Sequence, residues 1–231
     1  MEKGKHKINP KVTVLTIARN RAYLLGTTIQ SVLNQTYSNF EYIIIDDASQ
    51  DTSREVIQDF VGIDSRIRFF QNEIQLGHPN GINRYIPNIT GDYVVMLDSD
   101  DICLPTRISE QVEFLEQYPT FGAIGCQQQL IDIQGNNTRI RNYPIDPVVA
   151  KWNLLFSCSI MNSSLTVRTP ILRKLGGYLD TYRYVCDYEF VTRIAEVSKI
   201  GSLPKILIKY RQHTNQMTCT NSKEQIIQML L

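Results

Sequence analysis

The chain has 231 residues, of which 42% are hydrophobic and 20% are charged, a composition typical of folded proteins and not of disordered ones. Its 24 Lys and Arg residues nearly balance its 23 Asp and Glu residues, so it lacks the strongly basic surface on which most nucleic-acid-binding proteins depend. The basic N-terminus has no apolar segment after it, and no apolar run approaches the roughly 20 residues that cross a bilayer. We therefore expect a soluble chain without a signal peptide.

The first 119 residues alternate apolar, β-branched runs with segments of helical spacing. The predicted strands are 12–17, 40–45, 67–70 and 93–97, and the predicted helices are 22–34, 51–60 and 106–117. We also expect a short helix before the fourth strand, disturbed by Pro87. This alternation predicts an α/β fold with a parallel sheet and right-handed crossovers. The strands are apolar without strict alternation, which indicates burial on both faces.

The second half has a less regular pattern. It predicts strands at 123–133, 164–167 and 206–210, a turn at 134–137, and helices at 147–155, 169–175 and from Asp187 onward. The last residues, 222–231, predict an amphipathic helix. No repeat or linker interrupts the chain, so we expect one domain over residues 1–231, with halves at about 11–119 and 120–213 and a C-terminal segment over 214–231.

Five cysteines are scattered along the chain, at Cys103, Cys126, Cys158, Cys186 and Cys219. Their number is odd and no C-x-x-C pair occurs, which argues against a disulfide framework or a zinc site. This pattern favours a reducing compartment, so we expect the protein in the cytoplasm or at the inner face of the membrane.

Acidic residues follow two of the predicted strands. Asp46 and Asp47 end the second strand, and Asp98, Asp100 and Asp101 follow the fourth. Because ligands of such sheets bind at the carboxyl ends of the strands, both groups are expected on one rim. Crowded carboxylates repel, and a hard divalent cation held by Asp98 and Asp100 would offset that repulsion and bind a diphosphate. The alternative is a helix cap and a solvated turn before the next proline.

An ordered set of motifs resembles the inverting family-2 glycosyltransferases, which have a nucleotide-sugar-binding α/β fold called GT-A with a mostly parallel central sheet. The stretches that carry it are FEYIIIDDASQDTS (40–53), GDYVVMLDSDDICLP (91–105), GGYLDTYRYVCDYEF (176–190) and YRQH (210–213). The resemblance runs through most of the chain in order.

The resemblance implies transfer of a sugar from a nucleotide-diphospho-sugar to an acceptor hydroxyl, in polysaccharide, glycolipid or cell-surface glycan synthesis. It implies Mn²⁺ or Mg²⁺ as cofactor, a UDP-sugar as donor and a glycan or lipid-linked acceptor. The balanced charge argues against nucleic acid as a partner, and peripheral membrane contact remains open. The first half would bind the nucleotide-sugar and the second half the acceptor.

The same resemblance assigns individual positions. It implies Ile17, Arg19, Asp46, Asp47 and Asn83 for the nucleoside and the sugar, Asp98, Ser99, Asp100 and Asp101 for the metal-bound diphosphate, Asp187 as the general base, and Arg211 and His213 for phosphate and metal. Structural roles remain as alternatives, since acids at these places also cap turns and helices. Asn83 could likewise be a helix cap, and 210–213 could simply end a strand.

Two positions depart from the family pattern. Cys186 stands where the first acid of an acidic pair is usual, and Arg19 stands where an aromatic residue often stacks on the base. Loss of the acidic neighbour is expected to lower the pKa of Asp187. Cys186 has no His near it in the sequence that would activate it as a nucleophile.

Two other functions remain open. A sugar nucleotidyltransferase would carry a Gly- and Arg-rich phosphate loop after the first strand, and IARNRAYLLG (17–26) is a poor match. A non-catalytic sugar-nucleotide or carbohydrate-binding protein of the same fold would not need Asp98, Asp100 and Asp187 together, but Cys186 leaves it possible.

Overall fold

The computed structural model describes residues 9–214 together with 216, 224, 225 and 228. The predicted C-terminal helix therefore falls largely outside the described residues. Within them, no helix is long and apolar enough to cross a membrane.

The first half folds as alternating strands and helices, as predicted. Its elements are β1 (Val12–Ala18), α1 (Ala22–Leu33), β2 (Phe40–Asp47), α2 (Ser53–Ile63), β3 (Ile67–Asn72), α3 (Gly77–Asn83), β4 (Tyr93–Met96), β5 (Ile102–Cys103) and α4 (Arg107–Gln117). The short β5 was not predicted, because two residues are too few to give a recognisable period. Pro87 lies beyond α3, in a separate 3-10 turn at Ile86–Asn88, where its fixed φ is compatible with the first turn.

The second half supplies β6 (Ala123–Ile131), β7 (Asn137–Arg141), α5 (Pro147–Asn153), β8 (Thr166–Arg168), α6 (Thr169–Leu175), α7 (Cys186–Val197) and β9 (Ser202–Arg211), with 3-10 turns at Asn162–Ser164 and Asp180–Tyr182. The strand β7 was missed because it is polar and exposed. The helix α5 ends at Asn153, two residues before the predicted end at 155. Asp146 caps it by accepting from the N–H groups of Val148 and Val149.

The strands form one curled sheet in the order β3-β2-β1-β4-β8-β6-β9-β5, with β7 beside β6. The neighbours β3, β2, β1 and β4 are parallel, as the alternation predicted. The remainder is mixed, since β8 runs antiparallel to both β4 and β6 while β9 runs parallel to β6. The sheet therefore joins a parallel half to a mixed half, and the rim where they meet carries the acidic loop after β4.

Two apolar cores cover the two faces of the sheet. Val14 faces the core that contains Leu25 of α1 and Ile57 of α2. Its neighbour Leu15 faces the other core, which contains Phe190 of α7. Burial on both faces explains why the strands read as continuous apolar runs.

A tight turn after α6, in the second half, contacts α3 in the first half. Gly176 and Gly177 both have positive φ, 72° and 76°, and the next residue, Tyr178, is held by Asn83 at the end of α3. The Asn83 Nδ2 donates to the Tyr178 carbonyl oxygen at 2.7 Å, and the Tyr178 N–H donates to Asn83 Oδ1 at 2.9 Å. A Cβ on Gly177 would lie 2.2 Å from Asn83 Oδ1, whereas a Cβ on Gly176 meets nothing within 4 Å.

These two glycines form a matched pair for measuring what the contact contributes. We expect Gly176→Ala to lower the free energy of unfolding by about 1 kcal/mol, the cost of a left-handed residue with a side chain. Gly177→Ala adds the displacement of Asn83, and we expect a loss of about 3 kcal/mol. Urea denaturation of both variants measures the difference, and equal losses would show that the contact between Asn83 and this turn contributes little.

Candidate active site

A cleft of about 280 Å³ opens at the carboxyl ends of β1, β2 and β4, between the two halves of the chain. Seven of the residues predicted for function line it, namely Ile17, Arg19, Asp47, Asp98, Ser99, Asp100 and Asp187. The fold thus brings Asp187, from the first turn of α7, to the same cavity as the acids that follow β4.

The acids after β4 crowd together, as their sequence spacing implied. Burial, followed by the charge of Asp100, raises the pKa of Asp98 to about 7. A bond from Asn162 Nδ2 to Asp98 Oδ1, 2.6 Å long, favours the charged form. The Asp100 Oδ2 lies 2.9 Å from His213 Nε2 and 3.4 Å from Arg21 Nε. Each cleft-facing carboxylate therefore has a fixed neighbour that orients it.

The third acid, Asp101, points away from the cleft. It is fully buried, and its Oδ1 accepts from the backbone N–H of Arg211 at 2.8 Å. The Arg211 guanidinium is also turned inward, since Nε donates to the Asp100 carbonyl oxygen at 3.0 Å and Nη1 to the Ile133 carbonyl oxygen at 2.9 Å. In this arrangement Asp101 and Arg211 fasten the acidic loop to β9 and do not line the cavity.

The donor set facing the cleft fits a hard divalent cation. Carboxylate oxygens are the ligands that Mg²⁺ and Mn²⁺ prefer, and these ions are commonly held by one or two carboxylates so that positions remain for phosphate oxygens. Asp98 and Asp100 supply two, and after burial the charge of Asp100 is the next cause of the raised pKa of Asp98. Among the described residues, no group of three or more His, Cys, Asp or Glu side chains forms a complete metal-binding cage.

The two acids that end β2 are placed differently. Asp47 lines the cleft, and its carboxylate accepts three bonds, from Asn72 Nδ2 at 2.8 Å and from the N–H groups of Leu76 and Gly77 at 2.9 Å each. Asp46 is fully buried outside the cleft, with Oδ2 lying 3.6 Å from Nη2 of Arg54. Asp47 thus shapes the rim of the cleft, while Asp46 supports the turn behind it.

Asp187 combines a capping contact with an unusual pKa. Burial raises the pKa of its carboxyl, and backbone hydrogen bonds from Tyr188 and Asn162 partly oppose that rise. Cys186 in place of an acid removes one charge that would raise this pKa further, so the rise comes from desolvation. Glu189, the nearest other acid, forms an ion pair with Arg193 on the same helix. Asp187 is therefore the carboxylate of α7 that is available to the cleft.

Cys186 has a histidine partner that its sequence neighbours do not reveal. Its Sγ lies 3.6 Å from Nδ1 of His78, which lies in the first turn of α3 and also lines the cleft. Burial raises the pKa of the Cys186 thiol and lowers the pKa of His78 to about 4. The pair is therefore neutral at physiological pH, and the sulfur is not the activated thiolate of a nucleophilic cysteine.

Several cleft residues were missed by sequence reasoning. They include Arg21, His78, Met161, Asn162 and Arg183. They lie in polar loops or at helix ends, without a strand-end pattern to mark them, so only the three-dimensional arrangement identifies them. Conversely, Asn83 does not line the cleft, because both polar atoms of its side chain are bonded to the backbone of Tyr178.

Comparison with known proteins adds independent information. The model of glycosyl transferase family 2 matches residues 13–172, well over half of the chain. An uncharacterized glycosyltransferase of Haemophilus influenzae is 30% identical over 226 residues, covering 94% of this chain and 70% of the relative. An uncharacterized glycosyltransferase of Methanocaldococcus jannaschii is 29% identical over 208 residues, covering 87% of this chain and 71% of the relative.

Two solved structures share the fold. The mannosyltransferase PcManGT of Pyrobaculum calidifontis, in complex with GDP-Man and Mn²⁺, superposes with a TM-score of 0.75 at 18% identity, covering 96% of this chain and 63% of that one. TarS of S. aureus, in complex with UDP-GlcNAc, gives a TM-score of 0.75 at 14% identity, covering 91% and 61%. The predicted GT-A fold is confirmed, and the chain spans less than two thirds of either solved chain.

The bonds to Asp47 predict a structural cost on its removal. Asp47→Ala leaves three donors without an acceptor, and we expect the free energy of unfolding to fall by about 3 kcal/mol. A suitable control is Asp132→Ala, because Asp132 also accepts from a turn, through the N–H and Nδ2 of Asn136, but these two bonds lie at the surface. Urea denaturation compares them, and equally small losses would show that the rim does not depend on Asp47.

Proposed function

This chain belongs to glycosyl transferase family 2, and we propose that it transfers a sugar from a nucleoside diphosphate sugar to an acceptor hydroxyl with inversion at the anomeric carbon. The observation that carries the proposal is the meeting of Asp98 and Asp100 with Asp187 in one cleft. The arrangement combines a site for a metal-bound diphosphate with a carboxylate that can accept a proton.

We infer that Asp98 and Asp100 hold Mn²⁺ or Mg²⁺, with His213 turned toward Asp100 at 2.9 Å. When bound, such an ion is a Lewis acid that stabilises the charge developing on the departing nucleoside diphosphate. The chain's own contribution is to fix the ligands, with Asn162 bonded to Asp98 and Arg21 beside Asp100. Arg21 also lines the cleft, where a guanidinium can pair with phosphate oxygens.

The rim beside Asp47 would hold the nucleoside. Ile17 offers an apolar surface there, and Arg19 offers a planar guanidinium that can stack on a base. We favour a UDP-sugar as donor, and the solved structures with similar folds were obtained with GDP-Man in one case and UDP-GlcNAc in another. Arg183 lies across this rim, since a Cβ on Gly77 would come within 3.0 Å of its Nη2.

Asp187 would act as the general base in the acceptor half. It accepts the proton of the acceptor hydroxyl as that oxygen attacks the anomeric carbon, and the bond to the nucleoside diphosphate breaks in the same step. The raised pKa of Asp187 increases its basicity relative to an ordinary carboxylate. A single displacement needs no nucleophile on the protein, which agrees with the neutral pair of Cys186 and His78.

The acceptor is proposed to be a glycan or a lipid-linked saccharide. Peripheral contact with the inner face of a membrane is supported by large apolar side chains on and after α5, where Trp152 is 65% and Phe156 79% exposed. The four cysteines among the described residues are free, which supports a cytoplasmic location.

Replacing Asp187 by Asn tests the function most specifically. The amide keeps the size of the side chain but cannot take a proton, so we expect the transfer rate to fall by roughly 10²- to 10⁴-fold. Donor and metal affinity should change little. The measurement is release of the nucleoside diphosphate, with and without acceptor, from a panel of UDP-, GDP- and dTDP-sugars, combined with the anomeric configuration of the product by NMR.

The matched control is Glu189→Gln, because Glu189 lies on the same helical turn but is paired with Arg193. We expect this control to retain transfer near the parent rate. Transfer by Asp187→Asn at the parent rate would refute the assignment of the base. Binding of a donor by the parent without hydrolysis or transfer would instead indicate a non-catalytic binding protein.

The raised pKa of Asp98 predicts how metal binding varies with pH. Because its pKa is about 7 before a metal binds, Mn²⁺ must displace a proton at lower pH, and the apparent affinity should fall by up to about tenfold per unit below that value. Above that value the dependence should flatten. Calorimetric titration with Mn²⁺ between about pH 5.5 and about pH 8 measures this. In Asp98→Asn the affinity should be weaker throughout and the inflection near neutral pH should disappear.

A further inference from the structure

Asn162 lies at the floor of the cleft, at the start of the 3-10 turn Asn162–Ser164, and is 7% exposed. Its side-chain Nδ2 donates to Asp98 Oδ1 at 2.6 Å, and its Oδ1 accepts from the hydroxyl of Tyr178 at 2.6 Å. Burial raises the pKa of the Asp187 carboxyl, and the backbone N–H of Asn162 lies close enough to oppose part of that rise. One buried residue therefore bonds to Asp98, the proposed metal ligand, and lies beside the proposed base.

The direction of these bonds follows from what each group can donate. A carboxylate accepts only, so the amide nitrogen of Asn162 must face Asp98 and the amide oxygen must receive the hydroxyl proton of Tyr178. The nitrogen also lies 3.3 Å from Nε2 of His78, which then accepts its second hydrogen. The His78 proton consequently lies on Nδ1, toward the sulfur of Cys186 at 3.6 Å. Three side chains thereby fix the amide in a single orientation.

We propose that Asn162 is a positioning residue that orients Asp98 for metal binding through its side-chain amide. The inference rests on the proposed function, because it concerns the metal ligand of that reaction. Partners that orient a metal ligand contribute to affinity without touching the metal, since a ligand free to rotate must be ordered when the ion binds.

Tyr178 supports Asn162 from behind the cleft. Its ring is buried against Phe190, with ring centroids 4.8 Å apart, and its backbone is bonded to Asn83 of α3. The position of the Tyr178 hydroxyl is thus fixed where the turn after α6 contacts α3 of the first half. Asn83, predicted to contact the nucleotide-sugar, instead contributes to the site through Tyr178 and Asn162.

Binding of Mn²⁺ alone tests this role without requiring an acceptor or a known donor. We expect Asn162→Ala to weaken Mn²⁺ binding by about 10- to 100-fold, as the loss of such partners does in other metal sites. Tyr178→Phe keeps the ring and removes only the bond to the amide, so a smaller loss in the same direction is expected. The measurement is the free Mn²⁺ signal in electron paramagnetic resonance, at a temperature well below the melting temperature of each variant.

The matched control is Tyr42→Phe, which also removes a hydroxyl from a fully buried tyrosine, here bonded to Thr16 at 3.0 Å in the core. Its Mn²⁺ affinity should equal that of the parent even if its melting temperature falls. Parent-like affinity in Asn162→Ala and Tyr178→Phe would overturn the positioning role and leave the proposed function standing. If Asn162→Ala does not fold, the Mn²⁺ affinity of Tyr178→Phe alone tests the positioning role. A parent that binds no Mn²⁺ would overturn this inference together with the metal dependence of the proposed function.

Discussion

Repulsion among the carboxylates that follow β4 is the constraint on which the rest of the site depends. Three acids occupy four consecutive positions at the end of a buried strand, and each is held by a different part of the chain. Asp101 is turned inward onto the backbone of Arg211, while Asp98 is bonded to Asn162. Beneath them, the fully buried Arg107 donates to the carbonyl oxygen of Met96 at 2.9 Å, and its charge lowers the pKa of Asp98.

The positions that counter this repulsion lie far apart in sequence, so the acidic loop acts as a junction between the halves. Arg21 comes from the start of the first half, Asn162 from the turn before β8, and His213 from the residues after β9. The parallel half alone would present the acids without Asn162 and His213. The curled, mixed sheet is needed because it returns β8 and β9 to the rim where β4 ends.

The sequence predicted the elements whose signal is local. The four strands of the first half and Asp47 and Asp98 at two of their ends follow from apolar runs and from the rule that ligands bind at carboxyl ends. The role proposed for Asp187 came from resemblance to a family, since a single acid at the start of a helix is otherwise a cap. The strand β7 could not be predicted because its exposed residues show no apolar alternation.

The network behind the site could not be predicted, for a physical reason. The bonds among His78, Asn162 and Tyr178 join segments separated by 16 and 84 positions, and none of the three belongs to a periodic pattern. Asn83 shows the same limit: a polar residue before β4 was expected to face the ligand, but Gly177 leaves room for its side chain to bond the Tyr178 backbone instead. Local propensity does not reveal which of two polar partners a side chain contacts.

We propose that the cleft-facing carboxylates bind a nucleoside diphosphate through a divalent cation. Calorimetric titration of the protein with UDP and with GDP, in Mn²⁺ and then in EDTA, tests it most directly, with Asp100→Ala measured beside the parent. We expect saturable binding of at least one nucleotide in Mn²⁺, and its loss both in EDTA and in Asp100→Ala with the fold intact by circular dichroism. Equal affinity in Mn²⁺ and in EDTA would show that the nucleotide does not bind through a divalent cation.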